Sequence, residues 1–579
     1  MNKDILRQLY KYLRRYRAML LLAFAAALLS VPLGLLAPVL IGHAIDIIAD
    51  SKGIDFSALS NTLILLALTA AAAAVLSWLM NLLARKASAR AAQDLRTDAF
   101  DQISRTPFST LDTQRHGDIV NRLINDTDAV SEGLLQAIAQ LLPGIVTVIT
   151  TIVLMCMLNI WIALAVIVVT PLSIFFARFI GLRTSKHFLR QSQAQGKMSA
   201  FVGEMVGNQP LIAALGYREQ SAQEFAALTD EYYDANFKAT FYSSVVNPGT
   251  RFVNAIVYGA VGVFGAMYAI AGGISIGSLS AFLAYANQYT RPFNEITAVL
   301  TQMQAAMASA GRIFEIIHWE SEQPDDINAA SPENSDGHVQ SSGVYFSYTK
   351  EKPLIQDFTL DAKPGMRIAL VGPTGCGKTT LINLLMRFYD VDSGSIQVDD
   401  TPIVHIRRDS LRSLYGMVLQ ETWLKRGTIR ENIAYARPDA PMEEIIAAAK
   451  AAMIHNLVRQ LPNGYDTIVE NGGENLSAGQ RQLLCIARIM LAKPDMLILD
   501  EATSSIDTRT EITIQRALEQ LMQGRTSFIV AHRLSTVRNA DLILVMDAGR
   551  IVERGTHQEL LDFGGFYARL FKYQFEGAD

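Results

Sequence analysis

The stretch "RIALVGPTGCGKTTLINLLMRFY" (Arg367–Tyr389) decides the fold of the second half of the chain. Its first five residues are mostly apolar and suit a buried strand, and "TLINLLMRFY" has the apolar spacing of a helix. Between them, Gly372–Thr380 fits the pattern G-x-x-x-x-G-K-[ST]. In that pattern the glycines let backbone N–H groups surround a phosphate at a helix N-terminus. The stretch therefore predicts a phosphate-binding loop inside a strand–loop–helix unit.

The chemistry of this loop predicts a site for a phosphate ester and Mg²⁺. Lys378 is expected to reach the phosphate oxygens and Thr379 to bind the metal. About 120 residues later, the apolar residues Met496–Leu499 lead into Asp500 and Glu501. Two carboxylates at the end of a buried strand suit Asp500 for the second shell of the metal and Glu501 as the base that orients or deprotonates water. The predicted phosphate-binding residues of the loop are Gly372, Thr374, Gly375, Gly377, Lys378, Thr379 and Thr380.

The residues around this loop predict a soluble α/β domain at 341–579. Short apolar runs such as "MLILD", "SFIVAH" and "DLILVMD" alternate with helical segments, which is typical of a parallel sheet covered by helices. The preceding stretch, 321–340, is polar, acidic and interrupted by Pro324, Pro332 and Gly337. We interpret it as a linker.

The first half has the composition of a membrane domain. Half of the 579 residues are hydrophobic and 18% are charged. Apolar stretches close to the ~20 residues that a membrane-spanning helix needs predict six spans within 19–320. They lie at 19–45, 60–84, 133–158, 160–182, 250–273 and 276–298. The predicted fold class is thus an all-α membrane domain of six transmembrane helices fused to a soluble α/β phosphate-loop domain.

The basic residues predict the orientation of these spans. Lys and Arg are frequent at 85–105 and 183–197, whereas the turns after spans 1, 3 and 5 contain only Lys52. The positive-inside rule therefore puts both termini in the cytosol. The two long cytosolic stretches read as helical extensions of the spans. Residues 1–18 predict an amphipathic helix on the inner membrane surface, and the alternative, a cleaved signal sequence, lacks a small-residue cleavage site.

Charge and cysteine content exclude several classes of function. A net charge of −4 offers no basic surface, so no nucleic-acid partner is expected. Cys156, Cys376 and Cys485 have neither the number nor the spacing of a disulfide framework or a zinc site.

Four further motifs narrow the class: "VLQETWLKRGTIRENI" with Gln420, "LSAGQ" at 476–480, "SSID" ending at Asp507, and His532 after "SFIVA". With the phosphate loop they resemble the ATP-binding cassette (ABC) transporters, in the six-span exporter type, over essentially the whole chain. The resemblance implies ATP and Mg²⁺ as ligands, ATP hydrolysis coupled to transport, and a second half-transporter as partner.

The resemblance also implies roles for individual residues. Tyr348 matches the aromatic residue that stacks on adenine, although a plain strand tyrosine is the alternative. Gln420 matches the glutamine that contacts Mg²⁺ and the attacking water, and His532 the histidine that steadies the γ-phosphate, unless it merely ends a strand. Thr106–Asp126 and Gly207–Phe225 resemble segments that dock on nucleotide domains. The segment 476–480 matches the family's signature motif, which closes over the nucleotide held by the opposite subunit. Its matching residues are Ser477, Gly479 and Gln480, and Asp507 matches the aspartate that contacts the partner across the dimer.

The signature departs from its usual Leu-Ser-Gly-Gly-Gln by one methyl group, because Ala478 stands where a glycine is expected. Glu470 also replaces a glycine in the run before it. Both changes concern the face presented to the partner's ATP, where a Cβ would obstruct close approach of the backbone. This asymmetry, like "ANQYTRPFNEI" (Ala286–Ile296) and "GQRQLL", resembles the catalytically intact half of heterodimeric bacterial multidrug exporters. A homodimer that tolerates Ala478 is the alternative.

The substrate is predicted only by class. Arg291 and Glu295 lie at membrane depth, where they either contact substrate or pair with each other. Polar and aromatic residues of spans 5 and 6 suit hydrophobic or amphipathic small molecules, and membrane lipids are further expected partners. Siderophore import and a non-transporting nucleotide sensor are the alternatives. The residues considered for a cavity are Asn254, Tyr258, Tyr285, Asn287, Gln288 and Tyr289.

Overall fold

The computed structural model describes residues 3–50, 53–350, 352–419, 422–500, 507–530 and 537–572. The chain forms two compact units. The first contains Met1–Arg105 and Gln114–Trp319, and the second contains Thr106–Thr113 and Glu320–Asp579. A short segment from the first half of the chain thus belongs to the second unit.

The first unit is helical throughout the residues described. Its regular helices are α1 (Lys3–Arg15), α2 (Arg17–Leu35), α3 (Ala37–Ala49), α4 (Phe56–Arg105), α6 (His116–Asn121), α7 (Thr127–Gln136), α8 (Leu142–Leu158), α9 (Ile160–Gly207), α10 (Gln209–Ala214), α11 (Arg218–Ile270) and α12 (Ile276–Ile317). Two π-helical turns, Arg122–Asp126 and Ala137–Leu141, flank α7. Helix α5 (Phe108–Asp112) lies in the second unit.

The longest helices confirm that the spans extend beyond the membrane. Helices α4, α9, α11 and α12 contain 50, 48, 53 and 42 residues. At 1.5 Å per residue they are roughly 60–80 Å long, about twice the ~30 Å of a bilayer core. In the described residues, three helical stretches are long and apolar enough to cross a membrane: Arg17–Ala49, Phe56–Arg105 and His116–Leu158. The spans predicted at 160–182, 250–273 and 276–298 lie on α9, α11 and α12.

Helix α1 uses its apolar face against protein. Leu9 is buried in a cluster with Leu95 of α4 and Ile313 of α12. The Tyr12 hydroxyl donates to Asp98 at 2.7 Å, which anchors the same face. The apolar face is therefore covered in part, whereas Tyr10 of the same face is 63% exposed, and contact of α1 with the inner membrane surface stays a prediction.

The second unit contains two main sheets. Its strands are β1 (Val339–Phe346), β2 (Ile355–Ala362), β3 (Arg367–Val371), β4 (Ser393–Val398), β5 (Thr401–Pro402), β6 (Tyr415–Val418), β7 (Gly427–Thr428), β8 (Ile468–Val469), β9 (Met496–Asp500), β10 (Thr526–Val530), β11 (Leu542–Asp547) and β12 (Arg550–Gly555). One sheet has the order β12-β11-β3-β10-β9-β6, in which only the edge strand β12 is antiparallel. The other is antiparallel, with the order β2-β1-β4-β5.

Helices cover the six-stranded sheet and complete the second unit. They are α13 (Lys378–Leu385), α14 (Arg408–Leu414), α15 (Ile429–Ile433), α16 (Met442–Ala451), α17 (His455–Gln460), α18 (Ala478–Ala492), α19 (Thr508–Met522), α20 (His557–Phe563) and α21 (Phe566–Phe571). Strand β3 shows why both faces are covered: Ile368 and Leu370 belong to one buried cluster, and Ala369 and Val371 to another. Alternate side chains of a strand point to opposite faces, so an all-apolar strand needs a cover on each side.

The predicted linker is held on the second unit by ion pairs. Arg408 donates to Asp325 at 2.7 Å and approaches Glu322 at 3.2 Å, and Arg412 donates to Glu322 at 3.1 Å. The acidic residues of this segment thus pair with the arginines of α14, so the segment is bound along the surface of the second unit.

Candidate nucleotide site

Parallel strand pairing brings the distant motifs of the second unit to one edge of the sheet. Val530 is in register with Leu370 on one side and with Asp500 on the other. Leu499 is in register with Val418, the last residue of β6. Because the strands run the same way, their carboxyl ends meet at this edge, where ligands of open α/β sheets bind. Asp500 lies two strands from the loop that follows β3, a lateral distance of about 10 Å.

The phosphate loop has the conformation that its glycines predict. Gly377 caps the N-terminus of α13 with φ +104°. That positive φ strains any residue with a Cβ, whatever space is available to it. Gly375 also has a positive φ, +84°. The loop therefore turns sharply into α13, whose first N–H groups and helix dipole favour an anion.

Lys378 is buried at the start of α13 and reaches back over the loop. Its Nζ donates to the carbonyl oxygens of Gly372 at 2.8 Å and Pro373 at 2.9 Å. The ammonium group is therefore held at the loop that would enclose a phosphate. The next residue, Thr379, is exposed on the same turn, as the predicted metal ligand requires.

Tyr348 lies beside the loop, two residues after the end of β1. Its hydroxyl donates to Thr380 Oγ1 at 3.3 Å. The rings of Phe346 and Tyr389 contact the Tyr348 ring edge-to-face, each with its centroid 5.0 Å from the Tyr348 centroid, and they fix the orientation of that ring. The side chain remains 46% exposed, so the ring retains open surface on which a flat partner can stack. Tyr348 lies beyond the end of β1 and is therefore not a strand residue.

The signature forms the start of α18. Ser477 is its N-cap, and its hydroxyl accepts from the Gln480 N–H while the Gln480 side chain accepts from the Ser477 N–H at 3.0 Å. Gly479 is buried. Ala478 is the first residue of the helix and has no positive φ. The extra methyl group thus fits the helix itself, and any obstruction it causes concerns what approaches the helix from outside.

Asp507 is the N-cap of α19, as Ser477 is of α18. Its carboxylate accepts from the Thr510 N–H at 3.0 Å. That backbone hydrogen bond lowers the pKa of Asp507, so the group is a carboxylate throughout the neutral range. It is fully exposed, as a residue that contacts a partner must be.

Three predicted catalytic residues, Gln420, Glu501 and His532, lie outside the described residues. Each follows a strand that ends at the ligand edge: β6, β9 and β10.

Within the second unit, α5 packs against the rest of the unit through aromatic residues. The Phe108 ring lies 5.1 Å from that of Phe388 and 6.3 Å from that of Tyr389. The Tyr389 hydroxyl donates to Asp112 at 2.8 Å, and burial together with that carboxylate raises the pKa of Tyr389. Phe388 and Tyr389 lie in the turn a few residues after α13, which ends at Leu385. Sequence reasoning missed them, although the adjacent aromatic pair in "RFYD" was a signal for a contact.

The two predicted docking segments differ in extent and location. Only Thr106–Thr113 of the predicted Thr106–Asp126 belongs to the second unit, and Asp126 is buried in the first against Ser309 and Arg312. The whole of Gly207–Phe225 belongs to the first unit. Leu211 on its helix α10 and Leu215 at the C-cap of that helix are 57% and 71% exposed, so its docking partner stays a prediction.

The proposed substrate-lining tyrosines are mostly structural. Tyr285 and Tyr289 are buried in a cluster with Leu35 and Met155, and the Tyr285 hydroxyl donates to the Leu35 carbonyl. Tyr258, in contrast, is 46% exposed.

Comparison with known proteins agrees with both units. Residues 20–293 match the ABC transporter transmembrane region and residues 355–504 match the ABC transporter family. A fatty acid ABC transporter ATP-binding/permease protein of Mycobacterium bovis is 41% identical over 529 residues, covering 90% of this chain and 83% of that protein. The ABC transporter ATP-binding protein YfiC of Bacillus subtilis is 37% identical over 99% of this chain and 95% of its own length.

A solved structure extends the likeness to the fold. A bacterial Atm1-family ABC exporter with ATP bound superposes with a TM-score of 0.74 at 27% identity, over 98% of both chains. The chain therefore belongs to the ABC transporters, as an exporter-type half-transporter whose multi-pass membrane unit is joined to a cytosolic ATP-binding domain that couples ATP hydrolysis to transport.

Proposed function

We propose that this chain is one half of a dimeric exporter that moves amphipathic small molecules or lipids out across the bacterial cytoplasmic membrane. The observation that carries the proposal is the convergence of the phosphate loop, Asp500 and the strand ends before Gln420, Glu501 and His532 at one sheet edge. A site of this kind exists to hold and hydrolyse a nucleotide, and here it is built into a chain that is half membrane helices.

The ATP site is expected to be shared between two chains. The N-terminus of α18 offers backbone N–H groups and a partial positive charge, with Ser477 and Gln480 at its tip. We propose that this tip closes on the γ-phosphate held by the phosphate loop of the partner chain. Asp507, exposed at the N-terminus of α19, would contact the partner across the same interface.

Within its own site, the chain supplies groups for binding and for proton transfer. Lys378 would bind the phosphate oxygens and Tyr348 would stack on adenine. Glu501 would take the proton of the attacking water, Gln420 would orient that water, and His532 would hold Glu501 and the γ-phosphate in place. Loss of the γ-phosphate removes the ligand of the partner's signature, so the two domains separate.

The donor set fits Mg²⁺. Mg²⁺ prefers oxygen ligands and keeps several waters, so it needs only one or two protein groups beside the phosphates. The hydroxyl of Thr379 and the carboxylate of Asp500 at the same sheet edge meet that need, with Gln420 as a further oxygen donor. When bound, the ion neutralises charge on the phosphate oxygens.

A non-identical partner is supported by which parts of the chain depart from the family pattern. Its own phosphate loop, Asp500, Glu501 and His532 follow the pattern, whereas Ala478 and Glu470 in the face offered to the partner's ATP do not. Since the helix accommodates Ala478 without strain, the methyl group acts only outward. We propose that the partner has an intact signature and an altered catalytic carboxylate, giving one active and one slow site.

The substrate class rests on the membrane unit and on a relative. The Mycobacterium bovis relative is named for fatty acid transport, and amphipathic cargo suits a unit whose polar groups are few. Export is favoured by the exporter-type structural neighbour.

The test uses the complex purified from native membranes through a tag on this chain and reconstituted into vesicles. ATP-dependent movement of a fluorescent fatty acid is measured beside ATP hydrolysis. Replacing Glu501 by Gln should abolish transport and reduce turnover by orders of magnitude while ATP still binds. Replacing Glu519, an exposed glutamate of α19, by Gln is the matched control. Undiminished turnover in the Glu501 variant would refute the assignment, and hydrolysis without movement of any amphiphile would refute the substrate class.

A further inference from the structure

A cavity of about 320 Å³ lies within the second unit between α16, α18 and α19. Ala447, Ala448 and Ala451 of α16 line it, and their short side chains leave space that longer ones would occupy. Leu491 of α18 and Leu521 of α19 also belong to its apolar wall. The cavity therefore has room for a small apolar group.

The cavity is separate from the nucleotide site. Two of its lining residues precede neighbouring strands: Lys493 comes shortly before β9 and Arg525 directly before β10. These strands are parallel, and Thr526 is in register with Met496 at their first residues. The cavity thus lies at the amino ends of the strands, whereas the phosphate loop and Asp500 lie at the carboxyl ends, about 13 Å of strand length away.

Lys493 and Arg525 bring positive charge to the cavity. Lys493 is the exposed C-cap residue of α18, and its ammonium group pairs with no residue in the described part of the chain. The Arg525 guanidinium donates to the Leu521 carbonyl at 2.7 Å. Both groups carry several N–H donors, so most of these donors are available to a ligand, and the Gln520 amide at the same wall can add another.

Arg525 is suited to an anionic ligand by its surroundings. Burial lowers the pKa of Arg525, and the charge of Asp495 opposes that shift. The carboxylate of Asp495 accepts a hydrogen bond from the Ser335 N–H at 2.8 Å, and in the described residues it forms no ion pair with Arg525. A partly desolvated guanidinium without an ion-pair partner gains stability when an anion binds.

The one carboxylate among the residues that line this cavity is already engaged. Glu444 lines the wall, but it accepts a hydrogen bond from Arg437 at 2.8 Å. The charge of Glu444 is therefore balanced by Arg437, and the cavity retains the two positive charges of Lys493 and Arg525 for a ligand.

Charge and volume together indicate the class of ligand. A phosphate monoester carries about −1.5 to −2 charges at neutral pH, which two cations balance, and both arginine and lysine are common phosphate ligands. At roughly 30 Å³ for each water-sized group, the cavity holds about ten non-hydrogen atoms. A phosphate group accounts for half of them, and the other half suits a small apolar body against the alanines.

We propose that this cavity is a second anion site, in which a small phosphate monoester is held between Lys493 and Arg525 and links the C-terminal ends of α18 and α19. The two helices pack against each other. Their N-caps are Ser477 and Asp507, the residues proposed to contact the partner chain. A ligand that joins the far ends of both helices restricts how these caps adjust when the dimer closes, so it lowers ATP turnover. This effect on turnover rests on the proposed dimer site, whereas the binding does not.

The test measures binding to the full complex by calorimetry, in nanodiscs of phosphatidylcholine, a lipid without a phosphate monoester. The complex is saturated with Mg²⁺ and a non-hydrolysable ATP analogue, so the phosphate loops are occupied and neither hydrolysis nor transport contributes. The probes are phenyl phosphate, phenyl sulfate and inorganic phosphate. Phenyl phosphate should bind about tenfold more tightly than phenyl sulfate, which has the same shape but a single charge. It should also bind more tightly than inorganic phosphate, because its ring covers the apolar wall.

Variants of this chain locate the site. Arg525→Gln and Lys493→Asn should each weaken binding of phenyl phosphate about tenfold. Asparagine tolerates the left-handed conformation of Lys493, φ +54°. Arg516→Gln is the matched control, since Arg516 is an exposed arginine of α19 outside the cavity. Ala447→Leu should fill the cavity and weaken phenyl phosphate more than inorganic phosphate, and Ala447→Ser should bind both normally.

Three results would overturn the site: equal binding of phenyl phosphate and phenyl sulfate, undiminished binding in Arg525→Gln, or an equal loss in Arg516→Gln. In a separate assay with ATP, saturating phenyl phosphate should lower turnover about fivefold, at the small end of typical coupling between two sites, and should not do so in Arg525→Gln. Binding without any change in turnover would refute the link between α18 and α19 and leave the site. An equal fall in turnover in Arg525→Gln would place the effect at the nucleotide site and refute the link as well.

Discussion

Truncation of Phe108 to Ala should uncouple ATP hydrolysis from transport. Phe108 anchors α5 on the nucleotide domain through ring contacts with Phe388 and Tyr389, and it is 41% exposed. Burying somewhat more than half of a Phe contributes about 1–2 kcal/mol, and the aromatic contacts add about 0.5–1.5 kcal/mol. A loss of about 2–3 kcal/mol weakens docking of α5 by roughly thirty- to a hundredfold, since 1.4 kcal/mol corresponds to a factor of ten.

The consequence follows from the path of the chain. Helix α5 lies in the chain between α4 and α6, which belong to the membrane unit, so we expect a movement of the nucleotide domain to be passed on through α5. If α5 docks weakly, the nucleotide domain still binds and hydrolyses ATP, but its movement is lost before it reaches the spans. The assay is the number of fluorescent fatty acids moved for each ATP hydrolysed in reconstituted vesicles. We expect a ratio at least ten times lower with hydrolysis largely retained.

The control for this prediction is Phe563→Ala, which removes a ring that is 73% exposed on α20. It should leave the ratio unchanged. Breaking the neighbouring hydrogen bond by Tyr389→Phe should have a smaller effect, because that bond contributes about 1 kcal/mol. An unchanged ratio in Phe108→Ala, with the protein folded and hydrolysing ATP, would refute the role given to α5.

Three further predictions concern the nucleotide site and the membrane unit. Gly377→Ala should abolish binding of a fluorescent ATP analogue, because φ is +104° and any residue with a Cβ is strained there. Ser477→Ala should lower the apparent Tm by removing an N-cap worth about 1 kcal/mol, and should also lower ATP turnover of the dimer. Asp126→Asn should lower the apparent Tm of the purified complex by several degrees, because the buried carboxylate accepts hydrogen bonds from Arg312 at 2.7 Å and Ser309 at 2.9 Å and loss of one partner of such a group costs about 2–3 kcal/mol.

Matched variants distinguish these effects from general damage. Gly464→Ala, at φ +54° with no atom within 4 Å of the new Cβ, should retain nucleotide binding. Ser477→Asn keeps the cap and should restore the Tm without restoring turnover; recovery of both would mean that the cap alone explains the loss. Asp128→Asn removes a carboxylate that is 68% exposed and pairs with Arg96, and a Tm change as large as that of Asp126→Asn would contradict the emphasis on burial.

The parts of the structure that could be predicted are those that depend on residues close together in the sequence. The strand before Gly372, the turn at Gly377 and the helix after it form one continuous motif, and its geometry follows from the chain itself. Parallel pairing of β9 with β10 then places Asp500 at the same edge, as the buried apolar run that ends in carboxylates indicates. The helical extensions of the spans were visible for the same reason, in long stretches with few Pro or Gly.

The parts that were missed depend on which neighbour covers a surface. The apolar face of α1 was visible, but nothing in its pattern shows that Leu95 and Ile313 cover it. Tyr285 and Tyr289 looked available to substrate, yet the helices around them close on both rings. The contact of Phe108 with Tyr389 joins residues almost 300 positions apart, and no periodicity within either segment indicates it.

The central claim is that this chain works beside a second, different half-transporter. The most direct test is the intact mass of the complex isolated from native membranes through a tag on this chain. We predict one copy of the 63.6 kDa chain together with a different polypeptide of similar size, whose signature is intact and whose catalytic carboxylate is altered. A mass of twice 63.6 kDa, in an assembly that hydrolyses ATP at two equivalent sites, would contradict the claim and make Ala478 a tolerated variant.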